Sequence, residues 1–229
     1  MGKVTVIGGA GFLGRYLVKR LAQQGLQVRV AVRDPEAASF LKPMGDVGQV
    51  QPIQANIRNQ ASIARAVAGA DVVINLAGVM FPGGAQSFQA GHVDGAETVA
   101  RAAAAAGVGR LSHISAIGAD AEADSKYARS KATGEAMVRA AYPDASIVRP
   151  STIFGAEDHF FNLFARLATL TPVMPLLGGG NRCMQPVYVG DVAQAIAVLA
   201  RDEAPAGGTY ELGGPQVLSM TEMIAMVCE

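Results

Sequence analysis

The chain has little charge and no excess of either sign. Of its 229 residues 17% are charged, with 19 Lys and Arg against 19 Asp and Glu, whereas an average soluble domain has about 25%. Because no net positive charge is available to attract a polyanion, no nucleic-acid partner is predicted. The hydrophobic fraction of 50% excludes intrinsic disorder. It allows a large core in one domain, or in one domain with a small second lobe.

The sequence also lacks an uninterrupted hydrophobic run long enough to cross a membrane. Its longest uncharged stretches are 72–91 and 167–181, and proline and glycine interrupt both, whereas a spanning helix needs about 20 apolar residues. Lys3 is followed at once by a strand-like run and a glycine loop, not by the apolar core of a signal peptide. We therefore expect no transmembrane segment and a cytoplasmic protein.

Cysteine and histidine are scarce. The two cysteines, Cys183 and Cys228, do not have the spacing of metal ligands, and His92, His113 and His159 are scattered along the chain. No metal site is predicted, and the low cysteine content is typical of a reducing compartment.

What the sequence does have is a regular alternation of short apolar runs with helical segments. Up to residue 150 the predicted strands cover 4–7, 28–32, 72–77, 111–115 and 146–148, and the predicted helices cover 12–24, 62–68, 97–106 and 125–142. This alternation is typical of parallel strands joined by crossover helices. The predicted fold class is therefore α/β, with a doubly wound parallel sheet.

A glycine-rich turn follows the first predicted strand and opens the first predicted helix. Gly8, Gly11 and Gly14 have the spacing in which the first glycine permits a tight turn, the second admits a pyrophosphate close to the backbone, and the third lets the helix sit on the strand. The helix beginning at Phe12 and Leu13 then presents backbone N–H groups and its positive dipole end to the phosphates. We predict that these five residues bind a dinucleotide.

The chain changes character after residue 150, where glycine, proline and methionine become more frequent. We expect 1–150 to form an NAD(P)-binding Rossmann domain and 151–229 to form a small substrate-side lobe intertwined with it. A helix at 160–167, a strand and helix at 187–200 and a strand at 209–212 are predicted in the second part. Its last segment opens with a capping-box pattern, Ser219 and Glu222, and reaches no helix terminator, so we expect the lobe to be truncated at its C-terminus.

The end of the second predicted strand distinguishes NAD from NADP. An acidic residue there binds the ribose hydroxyls, whereas an arginine accommodates a 2′-phosphate. Here Val32 is followed by Arg33, and Asp34 is expected to turn into the following loop with Pro35. NADPH is therefore predicted over NADH. The alternative is that Arg33 is only a solvated surface charge, in which case the two cofactors would bind equally well.

Two further segments are predicted to border the same site. Asn56 and Ile57 follow a strand-like run, from which they can flank an adenine ring. Leu76, Ala77 and Gly78 end a central strand, from which their backbone can pass close to the cofactor. Ordinary loop packing is the alternative for both segments.

Together these motifs resemble a known superfamily. The glycine loop, Asn-Leu-Ala-Gly at 75–78 and Tyr-Ala-Arg-Ser-Lys at 127–131 are arranged as in the short-chain dehydrogenase/reductases, and the resemblance extends over essentially the whole chain. Arg149-Pro150 and 187–192 resemble the extended, epimerase-like branch, which adds Pro150 to the expected cofactor-binding residues. More specifically, 142–158 and 185–189 resemble the NADPH-binding accessory subunits of respiratory complex I and their bacterial homologues.

Tyr127 and Lys131 form the predicted catalytic pair. Their spacing places them one turn apart on one face of a helix. We expect the ammonium and the positive ring of a bound cofactor to lower the pKa of the phenol, so that Tyr127 can exchange a proton with a substrate oxygen. The resemblance implies that Lys131 also holds the nicotinamide ribose, which gives the pair a purely binding role as an alternative.

The rest of the predicted catalytic site departs from the superfamily. Relatives carry a Ser or Thr where this chain has Ala116, and the candidate, Ser115, lies one residue earlier on the strand. It can serve only if a bulge or loop re-aims its side chain, because neighbouring side chains on a strand point to opposite faces. His92 also stands where relatives have an asparagine that helps to order the active site.

Three functions are compatible with these observations. The resemblance implies an accessory subunit of NADH:ubiquinone oxidoreductase (complex I) that holds NADPH structurally, with complex I subunits as partners. It also implies peripheral attachment at the cytoplasmic face of the inner membrane, through the apolar loop at 171–180 or the C-terminal part. The alternative is an independent NADPH-dependent oxidoreductase or epimerase acting on a small carbonyl, sugar-nucleotide or quinone-related substrate. A regulator that senses the NADPH/NADP ratio is the third.

Overall fold

The structure, a computed structural model, describes residues 2–84, 86–170, 183–201 and 205–228. Its strands are β1 Lys3–Ile7, β2 Gln27–Val32, β3 Val50–Gln54, β4 Val72–Asn75, β5 Arg110–Ile114, β6 Ser146–Pro150, β7 Ile153–Phe154, β8 Cys183–Met184, β9 Val187–Tyr188, β10 Thr209–Leu212 and β11 Leu218–Ser219. Its α-helices are α1 Phe12–Gln23, α2 Gln60–Val67, α3 Gly95–Ala105, α4 Lys126–Ala141, α5 Phe161–Leu170, α6 Val189–Leu199 and α7 Met220–Cys228. A 3-10 helix, Ser39–Met44, and a π-helical segment, Gln89–Asp94, complete the described elements.

The central sheet has seven strands in the order β10-β6-β5-β4-β1-β2-β3, and every pairing in it is parallel. The chain moves outward from β1 in one direction through β2 and β3, and then in the other direction from β4. The strand order therefore reverses between β1 and β4, and a crevice forms at the carboxyl ends of strands at such a reversal. The predicted doubly wound sheet is confirmed.

Hydrophobic clusters cover both faces of the sheet. On one face α1 and α6 pack against each other and contribute Leu17, Leu21 and Ile196 to the core. On the other face α2, α3 and α4 pack side by side, and their contact with the sheet includes many alanine side chains of α3. Small side chains let these helices lie close to the strands, which brings α4 over the carboxyl end of β5.

Two of the element boundaries that differ from the predictions bear on the site. The strand predicted to run to Ala77 ends at Asn75, because the Asn75 side chain accepts a hydrogen bond from the Ala77 N–H at 3.1 Å and turns the chain out of the sheet. The helix predicted from Glu97 begins at Gly95 and directly continues the π-helical segment. Both differences lie at the crevice.

The second part of the chain contributes to the main sheet and also forms structure of its own. Strand β10 pairs with β6, from Thr209 beside Ile147 to Leu212 beside Pro150. A separate hydrophobic cluster joins α5 to α7 and includes Phe164. The predicted capping box opens α7: the Ser219 N–H donates to the Glu222 carboxylate at 2.7 Å, and the Glu222 N–H donates to the Ser219 hydroxyl at 3.2 Å. The apolar loop at 171–180 lies outside the described residues.

Among the described residues, no helix combines the length and the apolar composition needed to cross a bilayer.

Candidate functional site

The glycine turn after β1 forms one wall of the crevice. Gly8 has a φ of 77°, in the left-handed region that glycine adopts without strain. A Cβ at this position would lie 3.2 Å from the backbone nitrogen of Ala77, so β1 and the segment after β4 approach closely here. The Gly8 N–H donates to the Ala31 carbonyl at 2.9 Å. The turn is thus fixed from both neighbouring strands.

Gly11 and Gly14 have different structural tasks. Gly11 is the N-cap of α1, where no side chain caps the helix, and a Cβ there would meet only the Gly8 carbonyl oxygen, at 3.5 Å. Gly14 is buried, and a Cβ there would overlap with the backbone of Gly9. Phe12 and Leu13 occupy the first turn of α1, whose N–H groups have no intrahelical partners. The turn thus leaves space for a ligand at Gly11 and uses Gly14 for packing.

A cavity of about 460 Å³ opens at the strand-order reversal. Eight of the predicted cofactor residues line it: Gly8, Gly11, Arg33, Asn56, Ile57, Leu76, Ala77 and Gly78. Residues that the sequence analysis missed also line it, among them Ala10, Asp34, Arg58, Val79, Gln86, Ala90 and Gly91. Four of these residues are sequence neighbours of predicted ones and could have been predicted: Ala10, Asp34, Arg58 and Val79. Gln86, Ala90 and Gly91 belong to a region that carries no motif.

The charged residues after β2 have separate roles. Arg33 is exposed at the rim of the cavity. Asp34 accepts hydrogen bonds at one carboxylate oxygen from the N–H groups of Glu36, at 3.0 Å, and Ala37, at 3.1 Å. The expectation that Asp34 turns into the following loop is therefore confirmed. Arg33, by contrast, is exposed to solvent and lines the cavity.

The residues after β3 have intramolecular contacts of their own. The Asn56 side chain accepts from the Arg58 N–H at 3.0 Å, and the Asn56 N–H donates to the Ser62 hydroxyl at 2.9 Å. A Cβ added to Gly95 would crowd the Ile57 side chain, so Ile57 packs against the start of α3. Loop packing is therefore present at both positions, and both still face the cavity.

Tyr127 and Lys131 lie on α4, with the Lys131 Nζ 5.8 Å from the centre of the Tyr127 ring. Lys131 is only 5% exposed, and its ammonium donates to the Ile114 carbonyl at 3.2 Å. Neither residue lines the cavity, but a Cβ at Gly78, in the cavity wall, would lie 3.5 Å from the Lys131 Nζ. The lysine ammonium thus lies close to the cavity wall at Gly78.

Lys131 alone does not lower the pKa of the tyrosine. Burial raises the pKa of the Tyr127 phenol above its ordinary value. Burial also lowers the pKa of Lys131 to about 8, with a smaller opposing effect from Glu135. Desolvation thus decides the direction for Tyr127 in the protein alone, and the lowering expected with the positive ring of a bound cofactor stays a prediction.

The structure does not present Ser115 to the cavity. Ser115 is 3% exposed, and its hydroxyl has no hydrogen-bond partner among the described residues. Its N–H donates to the Val148 carbonyl at 2.7 Å, which continues the β5–β6 pairing and leaves no bulge to re-aim the side chain. Pro150 is buried at the end of β6, where its carbonyl accepts from the Ile117 N–H at 3.0 Å.

Metal ligands are not clustered in the part of the chain that the structure describes. Within it no three His, Cys, Asp or Glu side chains come together in a way that could hold an ion. His113 is instead fully buried and pairs with Asn75, whose side-chain amide donates to the His113 Nδ1 at 3.1 Å.

Comparison with known proteins defines the class. The profile of the NAD dependent epimerase/dehydratase family matches residues 4–213, and the chain belongs to this family. Among solved structures, a dTDP-glucose 4,6-dehydratase, DesIV from Streptomyces venezuelae with NAD bound, superposes with a TM-score of 0.83 over 98% of this chain and 79% of that one, at 26% identity. The fold is thus an NAD-binding one.

Curated relatives are closer in sequence. The chain is 42% identical, over 96% of its length, to the mitochondrial NADH dehydrogenase [ubiquinone] 1 alpha subcomplex subunit 9 of Arabidopsis thaliana. It is 36% identical, over 92% of its length, to a ceramide reductase of Caulobacter vibrioides. The chain spans 55% of the first relative and 64% of the second, less than two thirds of either.

Proposed function

We propose that the cavity binds NADPH. The glycine cradle at Gly8 and Gly11 and the uncapped start of α1 fit a pyrophosphate, because a backbone without side chains and a positive helix end both favour phosphate oxygens. Asn56 and Ile57 would flank the adenine, and the segment from Leu76 would lie along the rest of the cofactor. Phe12, Leu13, Gly14 and Pro150 would support these contacts from the backbone.

The preference for NADPH over NADH rests on Arg33. Its guanidinium stands at the cavity rim, and the carboxylate of Asp34 is engaged by the following turn, so the site offers a cation for a 2′-phosphate. Titration of both cofactors tests this. Arg33→Ala should reduce the NADPH/NADH affinity ratio toward one, whereas Arg65→Ala, at an exposed arginine of α2, should leave the ratio unchanged. Equal binding of the two cofactors by the wild type would contradict the proposal.

We further propose that the protein is an accessory subunit of complex I in which NADPH is held structurally. The observation that carries this is the 42% identity to the Arabidopsis alpha subcomplex subunit 9 over 96% of the chain. The burial of Ser115 supports it, because the third member of a catalytic site is closed off. NADPH supplies a transferable hydride when bound. In a structural role Lys131 and Tyr127 would only hold the cofactor, which stabilises the fold by mass action.

This proposal implies where the protein works. Complex I subunits would be its partners, and it would attach peripherally to the cytoplasmic face of the inner membrane. Residues 1–150 would bind the cofactor, and 151–229 would form a substrate-side lobe. The test is purification of the tagged protein from gently solubilised native membranes. Co-purification of complex I subunits with NADPH retained is expected, and recovery of the protein alone would overturn the accessory role.

The second candidate is an NADPH-dependent oxidoreductase acting on a carbonyl substrate. The favouring observations are the Tyr127–Lys131 pair on α4 and the 36% identity to a ceramide reductase. A tyrosine of raised pKa is protonated at neutral pH and can donate a proton to a carbonyl oxygen. NADPH oxidation that depends on an added carbonyl compound and is lost in Tyr127→Phe would favour this candidate. Unchanged oxidation in that variant would exclude it.

A further inference from the structure

His92 lies at the junction of the cavity wall and the helix of Tyr127. It belongs to the π-helical segment Gln89–Asp94, and it is only 1% exposed. Short π-helical turns shift the register of the following residues and are frequent at functional sites. Here the segment turns His92 inward, while its neighbours Ala90 and Gly91 line the cavity.

Both ring nitrogens of His92 have partners, and the partners define one tautomer. The Val79 N–H lies 2.9 Å from Nε2, and because an N–H only donates, Nε2 must be unprotonated. Nδ1 then carries the hydrogen and donates to the Ser130 hydroxyl at 2.9 Å. That hydroxyl in turn donates to the Tyr127 carbonyl at 2.7 Å. In this series of hydrogen bonds, every donor meets an acceptor only when His92 is neutral with Nδ1 protonated.

The surroundings hold the ring in this state. Phe88 stacks on the imidazole at a centroid distance of 5.3 Å, and Tyr127 meets it edge-on at 5.4 Å. Burial, with a further contribution from the Lys131 ammonium, lowers the pKa of His92 to about 4. The neutral ring therefore prevails at physiological pH.

The backbone of His92 is fixed to the same helix. Gly134, one turn beyond Ser130 on α4, lies so close that a Cβ there would overlap with the His92 carbonyl oxygen. On the other side, a Cβ at Gly78 would lie 3.6 Å from the His92 Nε2 and 3.5 Å from the Lys131 Nζ. His92 and Lys131 thus both lie against the same stretch of cavity wall, at Gly78.

We propose that His92 is a positioning residue of the cofactor site: its single neutral tautomer fastens Val79, in the cavity wall, to Ser130 on α4. The inference rests on the proposed function, since it takes the cavity to be the NADPH site. In this arrangement the wall formed by Gly78 and Val79 keeps a fixed distance from Tyr127 and Lys131, and cofactor affinity depends on the hydrogen-bonding ability of residue 92.

The tautomer can be read directly in the wild-type protein. Long-range ¹⁵N–¹H spectra of protein labelled at histidine, assigned with His159→Asn and His113→Asn, should show His92 with a protonated Nδ1 and a bare Nε2 at pH 7. The opposite tautomer, or averaging between the two, would overturn the proposal.

Variants test the effect on the cofactor. His92→Phe keeps the ring shape without hydrogen bonds and should weaken NADPH binding about tenfold. His92→Asn, whose amide can accept from Val79 and donate to Ser130, should restore most of the affinity. Ser130→Ala should weaken binding less, by about threefold. Thr133→Ala removes a hydroxyl bond to the Arg129 carbonyl on the same helix, away from His92, and should not change the affinity.

The outcomes separate this inference from the function on which it rests. Failure of the wild type to bind NADPH would overturn both. If the wild type binds and His92→Phe binds equally well, only the positioning role is wrong. If His92→Asn loses as much affinity as His92→Phe, the positioning role is likewise wrong. In that case the hydrogen bonds of residue 92 would not contribute to cofactor binding.

Discussion

The guanidinium of Arg149 holds the carboxylate of Glu135 through two hydrogen bonds, at 2.9 Å from Nε and 2.7 Å from Nη2. Arg149 lies on β6 and Glu135 lies on α4, one turn after Lys131. A second carboxylate, Glu211 on β10, approaches the same guanidinium at 3.3 Å. The pair therefore ties three elements together and places a negative charge near the buried ammonium of Lys131, whose pKa it raises.

Glu135→Gln should destabilise the protein. The Glu135 side chain is 8% exposed, and its replacement leaves the Arg149 guanidinium with only the longer contact to Glu211, at a cost of about 2 kcal/mol in the free energy of unfolding. Urea denaturation measures this loss. Glu97→Gln is the matched control, since Glu97 pairs with Arg101 on the surface of α3, and it should cost less than about 0.5 kcal/mol. Equal losses in both variants would contradict the prediction.

Lys131→Met should stabilise the protein at neutral pH. The pKa of Lys131 is lowered to about 8 from its ordinary 10.5, so the folded state disfavours the proton that the unfolded state retains. The stability of the wild type is therefore lowest below pH 8 and rises toward pH 10.5, by roughly 3–4 kcal/mol in total. Thermal unfolding should show the gain of Lys131→Met at pH 7 and its decline by pH 10. The exposed control Lys126→Met should show neither, and a Lys131→Met variant less stable than wild type at pH 7 would refute the argument.

Acid should destabilise the protein through its buried histidines. The pKa of His92 is lowered to about 4 and that of His113 to about 3, both from 6.5 and both mainly by burial. Their contributions are complete above pH 6.5 and are lost as the pH falls from there toward the folded-state values, at roughly 2–3 kcal/mol each by pH 4.5. Urea midpoints at pH 7.5, 5.5 and 4.5 should fall less steeply in His92→Asn than in wild type. His159→Asn, at an exposed position, should retain the wild-type slope.

Replacement of Gly11 and of Gly14 by alanine should affect different properties of the protein, cofactor affinity in the first case and stability in the second. Gly11 has a φ of −73° and open space around it, so Gly11→Ala should fold with wild-type stability and lose NADPH affinity because its methyl group enters the cavity. Gly14→Ala forces α1 away from Gly9 and should cost about 2–3 kcal/mol in the free energy of unfolding. Chemical denaturation and NADPH titration of both variants make the comparison. A loss of stability in Gly11→Ala would contradict the prediction, because it would show that the turn cannot accommodate a methyl group at this position.

The sequence allowed the turn and the sheet to be predicted because both have local signatures. Gly8, Gly11 and Gly14 follow β1 and open α1 as their spacing indicates, and the capping box at Ser219 opens α7. The π-helical segment had no such signature. Its register depends on the close approach of Gly134 to the His92 carbonyl, a contact between residues distant in sequence.

The sequence predicts the parts of the candidate site that are formed by the backbone. It does not predict the properties of side chains that depend on their burial. Gly8, Ala77 and Gly78 line the cavity as expected. The rise of the Tyr127 pKa in the protein alone was not predictable, because helical spacing gives the distance to Lys131 but not the desolvation of either group. The closed position of Ser115 likewise follows from the β5–β6 pairing, which extends one residue past the end of β5.

The place of β10 beside β6 has a consequence for synthesis of the protein. Strand β6 is complete at Pro150, but its outer edge is covered only when Thr209–Leu212 arrives. A nascent chain therefore carries an open row of backbone N–H and C=O groups on a largely buried strand while the intervening residues leave the ribosome. During that interval the edge can pair with another chain, so early-folded intermediates should be the species most prone to aggregate and most in need of a chaperone.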